Sequence, residues 1–408
     1  MTHRVAIVGR GTVTAFGETW QENRDKILEL KNAVRYMSEW EIYDGLITKL
    51  AAPCDNFVKP EHYTRKKTRS MSRVSLLATR SAENALIEAG LIDDPILKSG
   101  SVGVAFGSSF GGVHAVKDFA AMLFNNSTGD INANSYVKLM PQTSAINVSL
   151  FFGITGRVIP TSTACTSGSM AIGYAYEAIK YGVQTAMVAG GCEELSVCDA
   201  GVFDTMYSTS SKNDTPKLTP APYDVNRDGL VIGEGAGCMV LEDWDHAVAR
   251  GAKIYGEIIG FATNSDATHI TAPNPETIQI CIENAIKNAG LAPSDIGYIS
   301  AHGTATNIGD IAESNATYKV YGNKTPISTL KSYFGHTLGA CGAVEAIFGL
   351  NMMNEGWFSP NLNLKEVDPK CDDINYIKDA PLKLETEFIQ SNNFAFGGIN
   401  TSLIIKRV

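Results

Sequence analysis

The sequence predicts an α/β protein in which mostly parallel sheets are covered by helices. Three observations predict it. Strand-like runs alternate with helix-like segments along the whole chain. The order of these segments repeats after about residue 250, which suggests a duplicated unit. The 408 residues suffice for two lobes or one large α/β unit with a sizeable core.

Each element rests on its own pattern. "RVAIVG" (4–9) is a short apolar run of the kind that forms a buried strand. "SLLATRSAENALIEAG" (75–90) carries apolar residues at helical spacing and stops at a Gly. "GVAFG" (103–107), "TAMVAGG" (185–191) and "GCMVLED" (237–243) are further strands. The second half repeats the alternation. "KIYGEIIGFATN" is a strand, "ETIQICIENAIKNAG" a helix, and "IGYISAHG" a strand ending in a His. "CGAVEAIFGLNMMNEG" is a helix and "NTSLIIKRV" the last strand. The expected division is 1–250 and 251–408, without a low-complexity linker.

Composition narrows the function. Apolar residues make up 44% and charged residues 19%, an ordinary soluble balance. No apolar run reaches the roughly 20 residues of a membrane span, and the first residues lack a signal-peptide pattern. A cytoplasmic location is expected. The eight cysteines form no CxxC pair and are too sparse for a disulfide scaffold, so free thiols are expected. The net charge of −9 argues against nucleic acid as a ligand. "VGRGTVT" imitates a dinucleotide fingerprint, but Thr14 occupies the third glycine position and no acid-terminated second strand follows. A glycine turn leaving a strand is the better reading.

Four stretches carry candidate chemistry. In "TSTACTSGSMAIGYAYEAIKYG", Cys165 sits between an extended segment and a helix. A thiol there faces free N–H groups and the positive helix end, which lower its pKa. From these residues alone, nucleophile and buried structural cysteine stand level. His302 ends a strand in "YISAHGTATNIGD", where the cleft of an α/β sheet opens. His336 follows a Gly after a strand-like run ending near Lys331, and precedes a helix rich in Gly and Ala. "NNFAFGGIN" is a glycine-flanked loop before the last strand, with Phe394 and Phe396 suited to lining a pocket. The Cys and His spacing matches no metal motif, and no metal or tightly bound cofactor is expected.

Together these stretches resemble the elongating β-ketoacyl-acyl-carrier-protein synthases of the thiolase superfamily. "TACTSG", "AHGTATNIGD", "LKSYFGHTLGACGAVEA", "YDVNRDGLVIGEGAG" and "NNFAFGGIN" occur in the family's order over nearly the whole chain. The resemblance implies a thiolase fold, with two similar βαβαβαββ halves in a layered αβαβα core and a dimer of like or related chains. It implies that Cys165 takes an acyl group as a thioester. Malonyl-carrier protein then loses CO2, and its enolate attacks the acyl-cysteine. His302 and His336 would stabilise the enolate as Nε2 donors, and the N–H groups of Cys165 and Phe396 would receive the acyl oxyanion. Lys331 and Glu345 match an orienting pair. Thr304 and Thr306 match hydroxyls that hold the carrier's 4'-phosphopantetheine arm. Phe110, Phe394 and Gly397 match substrate-binding positions, and "RDGLVIGEGAG" matches a structural segment.

The resemblance also calls for a basic patch, because carrier proteins are acidic. "YTRKKTRSMSR" supplies it, with Arg65, Lys66, Lys67, Arg69 and Arg73. Some positions depart from the family pattern. Ala395 replaces a Gly, which predicts a stiffer loop, and Ile399 replaces a hydroxyl. Phe110 is a large aromatic where the acyl chain is expected, which predicts a short or flat chain and a specialised polyene or polyketide product. Two alternatives to fatty-acid or polyketide condensation are a chain-length-determining subunit of a heterodimer and a Cys-His acyl hydrolase. The first is expected to lack the nucleophile. The second leaves the second histidine unexplained.

Overall fold

In the computed structural model, which describes residues 2–408, ten strands form one sheet. In chain order they are β1 (Val5–Val13), β2 (Val102–Gly107), β3 (Val158–Thr161), β4 (Ala186–Glu193) and β5 (Gly235–Asp243), then β6 (Gly256–Ser265), β7 (Tyr298–Ser300), β8 (Ile327–Ser328), β9 (Phe388–Ala395) and β10 (Ile399–Lys406). Seven helices matter for the site. They are α1 (Arg73–Glu88), α2 (Thr143–Phe152), α3 (Ser167–Lys180), α4 (Val197–Asp204), α5 (Pro275–Ala289), α6 (Asn307–Tyr321) and α7 (Cys341–Glu355).

The spatial order is β8-β7-β9-β10-β6-β1-β5-β4-β2-β3. Read outward from the middle, the halves run β1-β5-β4-β2-β3 and β6-β10-β9-β7-β8. The pairings also repeat. The two innermost pairs of each half are antiparallel and the two outermost parallel. An antiparallel β1–β6 contact joins the halves. The expectation of mostly parallel sheets therefore fails: antiparallel pairs outnumber parallel ones, because the last strand of each half, β5 or β10, lies between the first and fourth strands and runs antiparallel to both.

Strand periodicity explains the layers. Along β1, Val5 and Ile7 face one core, and Ala6 and Val8 face another. In β4, Met187 and Ala189 alternate with Ala186 and Val188 in the same way. The central core holds α3 and α7, packed against both halves of the sheet. A second core lies under α1 and α2, and a third under α5 and α6. Strands buried on both faces appear as continuous apolar runs. The result is five layers: helices, sheet, the two central helices, sheet, helices.

Close packing of the central layer depends on glycine. A Cβ on Gly168 of α3 would lie 2.9 Å from the Ala343 nitrogen of α7, and one on Gly342 would lie 2.7 Å from the Ser169 nitrogen. These contacts let the two helices begin side by side. Among the described residues, no helix is long and apolar enough to cross a membrane.

Candidate active site

Both central helices start by the same backbone device. After β3 the chain reaches Ala164 at φ +50°, makes a 3-10 turn over Ala164–Thr166, and enters α3. After β8 it passes a short helix at Lys331–Phe334, reaches Leu338 at φ +46°, makes a 3-10 turn over Leu338–Ala340, and enters α7. A positive φ in a non-glycine residue is uncommon and costs of order 1–3 kcal/mol. Here it turns the chain sharply enough to aim Cys165 and His336 at each other.

His336 Nε2 lies 3.0 Å from Cys165 Sγ. The His302 and His336 rings meet edge to face with centroids 5.2 Å apart. The Cys165, His302 and His336 heteroatoms all lie within 4.8 Å of one another, and all three residues are buried. Three such atoms could ligate a metal, but the His336 tautomer opposes it. The Leu338 N–H donates to His336 Nδ1 at 3.2 Å, so Nδ1 keeps its lone pair and the proton sits on Nε2. An Nε2–H donates and does not ligate.

The thiol differs from expectation. Burial pushes Cys165 up to about 11, against the pull of the Lys331 charge and of the N–H groups of Phe396 and Cys165 itself. The helix-start setting therefore does not produce a resting thiolate, because desolvation outweighs it. Burial, and then the Lys331 charge, hold both histidines well below their ordinary value, so they are neutral. The sulfur thus faces three neutral N–H donors, from His336, Phe396 and its own backbone.

Lys331 and Glu345 form a buried pair at 2.5 Å. Burial draws Lys331 down, but Glu345 more than offsets it and holds the ammonium above its ordinary value. Glu313 takes the His302 and Gly303 N–H groups at 2.7 Å each and the Tyr223 hydroxyl at 2.9 Å, which fixes the turn after β7. Arg227, from the segment expected to be structural, is buried between Asp310 and Asp368.

A cavity of about 160 Å³ reaches these groups. Its wall includes Cys165, His302, His336, Thr304, Thr306, Phe394 and Phe396. The Thr304 and Thr306 hydroxyls are 2.9 Å apart. Phe110 and Gly397 are not on this wall. The Phe110 N–H instead points to the buried Glu193 carboxylate at 3.3 Å. The Phe396 ring packs on Phe203 of α4, with centroids 5.0 Å apart. Ala395 pairs with Ile399 in the β9–β10 ladder without a positive φ, so this position has no need of glycine.

The basic patch is narrower than expected. Arg65, Lys66, Lys67 and Arg69 are exposed around a short helix at Arg65–Thr68. Arg73 leaves the patch, because its guanidinium is committed to Glu234 at 2.5 Å.

Sequence reasoning missed the loop 266–273, which supplies His269, Ile270, Thr271 and Ala272 to the wall. It clasps the glycine loop: the Gly397 N–H donates to Ile270 O at 2.8 Å, and the Asp266 N–H to Gly398 O at 2.7 Å. The only sequence signal is a polar stretch between a strand and the Asn-Pro helix start. Sequence reasoning also missed Asn393, whose Nδ2 donates to Glu345 at 2.8 Å.

With this geometry in hand, similarity to known proteins takes a definite form. The family description "Beta-ketoacyl synthase, N-terminal domain" matches residues 2–247, and "Beta-ketoacyl synthase, C-terminal domain" matches residues 255–365. The chain is 34% identical to 3-oxoacyl-[acyl-carrier-protein] synthase 1 of Escherichia coli K12, covering 99% of each. Among solved structures, a beta-ketoacyl synthase from Burkholderia phymatum STM815 superposes with a TM-score of 0.98 at 52% identity, covering 100% of each chain. A type II polyketide ketosynthase in complex with its acyl-carrier protein superposes with a TM-score of 0.90 at 28% identity, again covering 100% of each. The chain belongs to the β-ketoacyl synthase family.

Proposed function

We propose that Cys165, His302 and His336 carry out the family's decarboxylative condensation in this chain. The enzyme is an acyltransferase that joins an acyl thioester to malonyl-acyl-carrier protein and yields a β-ketoacyl-carrier protein. The observation that carries the residue roles is the convergence of neutral N–H donors on one buried sulfur.

Cys165 attacks the incoming thioester carbonyl, and the carrier thiol leaves. The N–H groups of Cys165 and Phe396 receive the oxyanion formed during this transfer. The Cys165 proton ends on the departing carrier sulfur, and because the thiol must ionise to attack, ionisation adds to the cost of acylation. Malonyl thioester then loses CO2. The electrons of the broken bond move onto its thioester oxygen, which accepts from the Nε2–H groups of His302 and His336. The enolate carbon attacks the acyl-cysteine and releases Cys165. A hydrolase would need water activated by a base, and the donor form of His336 is poorly suited to that. A chain-length subunit without catalysis would have no use for this cluster.

The remaining assignments belong to the same reading. Thr304 and Thr306 hold the phosphopantetheine arm in the cavity, and Phe394 and Phe396 line it. Arg65, Lys66, Lys67 and Arg69 dock the acidic carrier protein in the cytoplasm. The half at 1–250 supplies the nucleophile and the half at 251–408 the histidines. The dimer forms through the free sheet edge at β3, where Val158 is exposed. The substrate-binding roles expected for Phe110 and Gly397 gain no support from this cavity, because neither residue is on its wall.

Intact-mass analysis with acyl-carrier protein and malonyl-carrier protein tests the roles. The wild type gains a stable acyl adduct on Cys165. His336→Ala loses about 10²–10³-fold in malonyl decarboxylation. Release of free acid, or normal decarboxylation by that variant, contradicts the assignment.

A further inference from the structure

His302 poses a question that His336 does not. Both rings are neutral, and each must carry its single proton on one nitrogen. A backbone N–H settles His336. No backbone group does so for His302. The polar group beside its Nδ1 is the Asn393 amide nitrogen, at 3.5 Å.

Asn393 lies in β9 and is fully buried. Its Nδ2 donates to Glu345 Oε2 at 2.8 Å, and Glu345 Oε1 receives Lys331 Nζ at 2.5 Å. The ion pair decides which way the amide faces. Burial raises the Glu345 carboxyl and Lys331 pulls against it; with one oxygen receiving Lys331 Nζ and the other Asn393 Nδ2, the group accepts on both sides and offers no donor to the amide. Turning the amide over would set Asn393 Oδ1 against that carboxylate. In the observed orientation Oδ1 is buried with no partner, so no bond of its own selects this rotamer. The Nδ2 group has two hydrogens. With one on Glu345, the other lies between His302 Nδ1 at 3.5 Å and Cys341 Sγ at 3.7 Å, and a ring nitrogen is the stronger acceptor of the two. A proton on Nδ1 would face this N–H head-on.

We infer that Asn393 is a positioning residue: it transmits the polarity of the Lys331–Glu345 pair to His302 and fixes the ring as the Nε2–H tautomer. Both histidines then present the same kind of donor to one point, one set by backbone and the other by a side-chain relay. The inference rests on the proposed role of His302 only in its kinetic arm.

The test is the tautomer itself, read from ring ¹⁵N shifts in histidine-labelled protein, with His302 assigned by comparison with His302→Gln. The wild type should show a pyridine-type Nδ1 and a pyrrole-type Nε2. Asn393→Asp removes both N–H donors; its carboxyl and that of Glu345 share one proton between them, and the oxygen left facing His302 accepts, so the ring proton should move to Nδ1. Asn393→Ala should leave a mixture of tautomers. Formation of the acyl adduct on Cys165 reports that each variant is folded and should change less than about 3-fold, while malonyl decarboxylation by Asn393→Asp falls about 10²-fold. A protonated Nδ1 in the wild type, or a pure Nε2–H form in Asn393→Ala, overturns the inference. A tautomer that moves as described while decarboxylation holds would support the relay and instead remove His302 from the enolate step.

Discussion

The two halves share strand order, pairing pattern and the turn that opens each central helix, yet they present different groups at equivalent places. The residue after Ala164 is Cys165, and the residue after its counterpart Leu338 is Gly339. Gly339 sends its N–H to Glu193 at 3.0 Å, and a Cβ there would lie 2.8 Å from both the Glu193 carboxylate and the Ser109 nitrogen. One half uses the turn to display a thiol. The other uses it to pack tightly and to hold His336 beside that thiol. The backbone device is shared by both halves, and its chemistry is decided by what surrounds it.

The largest effect is expected at the two cysteines near the helix starts. Cys165→Ala should abolish the acyl adduct completely. Cys341→Ala should keep it, although the Cys341 thiol donates to the Cys165 carbonyl at 3.3 Å. An adduct on Cys341 would mean that the halves are chemically interchangeable.

A second experiment sharpens the role of burial. Only the thiolate alkylates, and the Cys165 thiol is pushed up to about 11. Its thiolate fraction therefore rises tenfold per pH unit below that value. Peptide-resolved iodoacetamide labelling of Cys165 should climb about 100-fold from pH 7 to pH 9. A plateau below pH 8 would show that the N–H donors overcome desolvation. The smallest effect concerns the silent twin. Gly339→Ala should lower stability by about 1–3 kcal/mol in urea unfolding, because the new methyl has nowhere to go. An unchanged midpoint would show that the second turn is not closely packed.

Local signals made much of the molecule legible. Apolar runs such as 185–191 and helical spacing such as 75–90 survive as elements because their burial is dictated by period. Cys165, His302 and His336 are marked by small and hydroxylated neighbours, with Gly168, Gly303 and Gly335 close by in the chain. What stayed hidden depends on contacts between distant segments. Asn393 looks like any strand asparagine until Glu345 and His302 are beside it. Period marks β5 and β10 as strands but says nothing of their direction, so the antiparallel return of the last strand in each half is not legible locally. Arg73 counts as a patch member until Glu234, far along the chain, claims it. The thiol pKa was misread in direction because sequence displays a helix start but not the depth at which it is buried.

The side-by-side start of α3 and α7 has a consequence in terms of fields. A helix carries about half a positive charge at its N-terminus. The two similar halves set two such ends side by side at Cys165, where the charge of the buried Lys331 also acts. The proposed reaction passes through four anions there: thiolate, acyl oxyanion, malonyl carboxylate and enolate. The scaffold itself thus supplies a positive potential that no one side chain accounts for. A single half, even with every named residue grafted onto it, would supply only part of that potential.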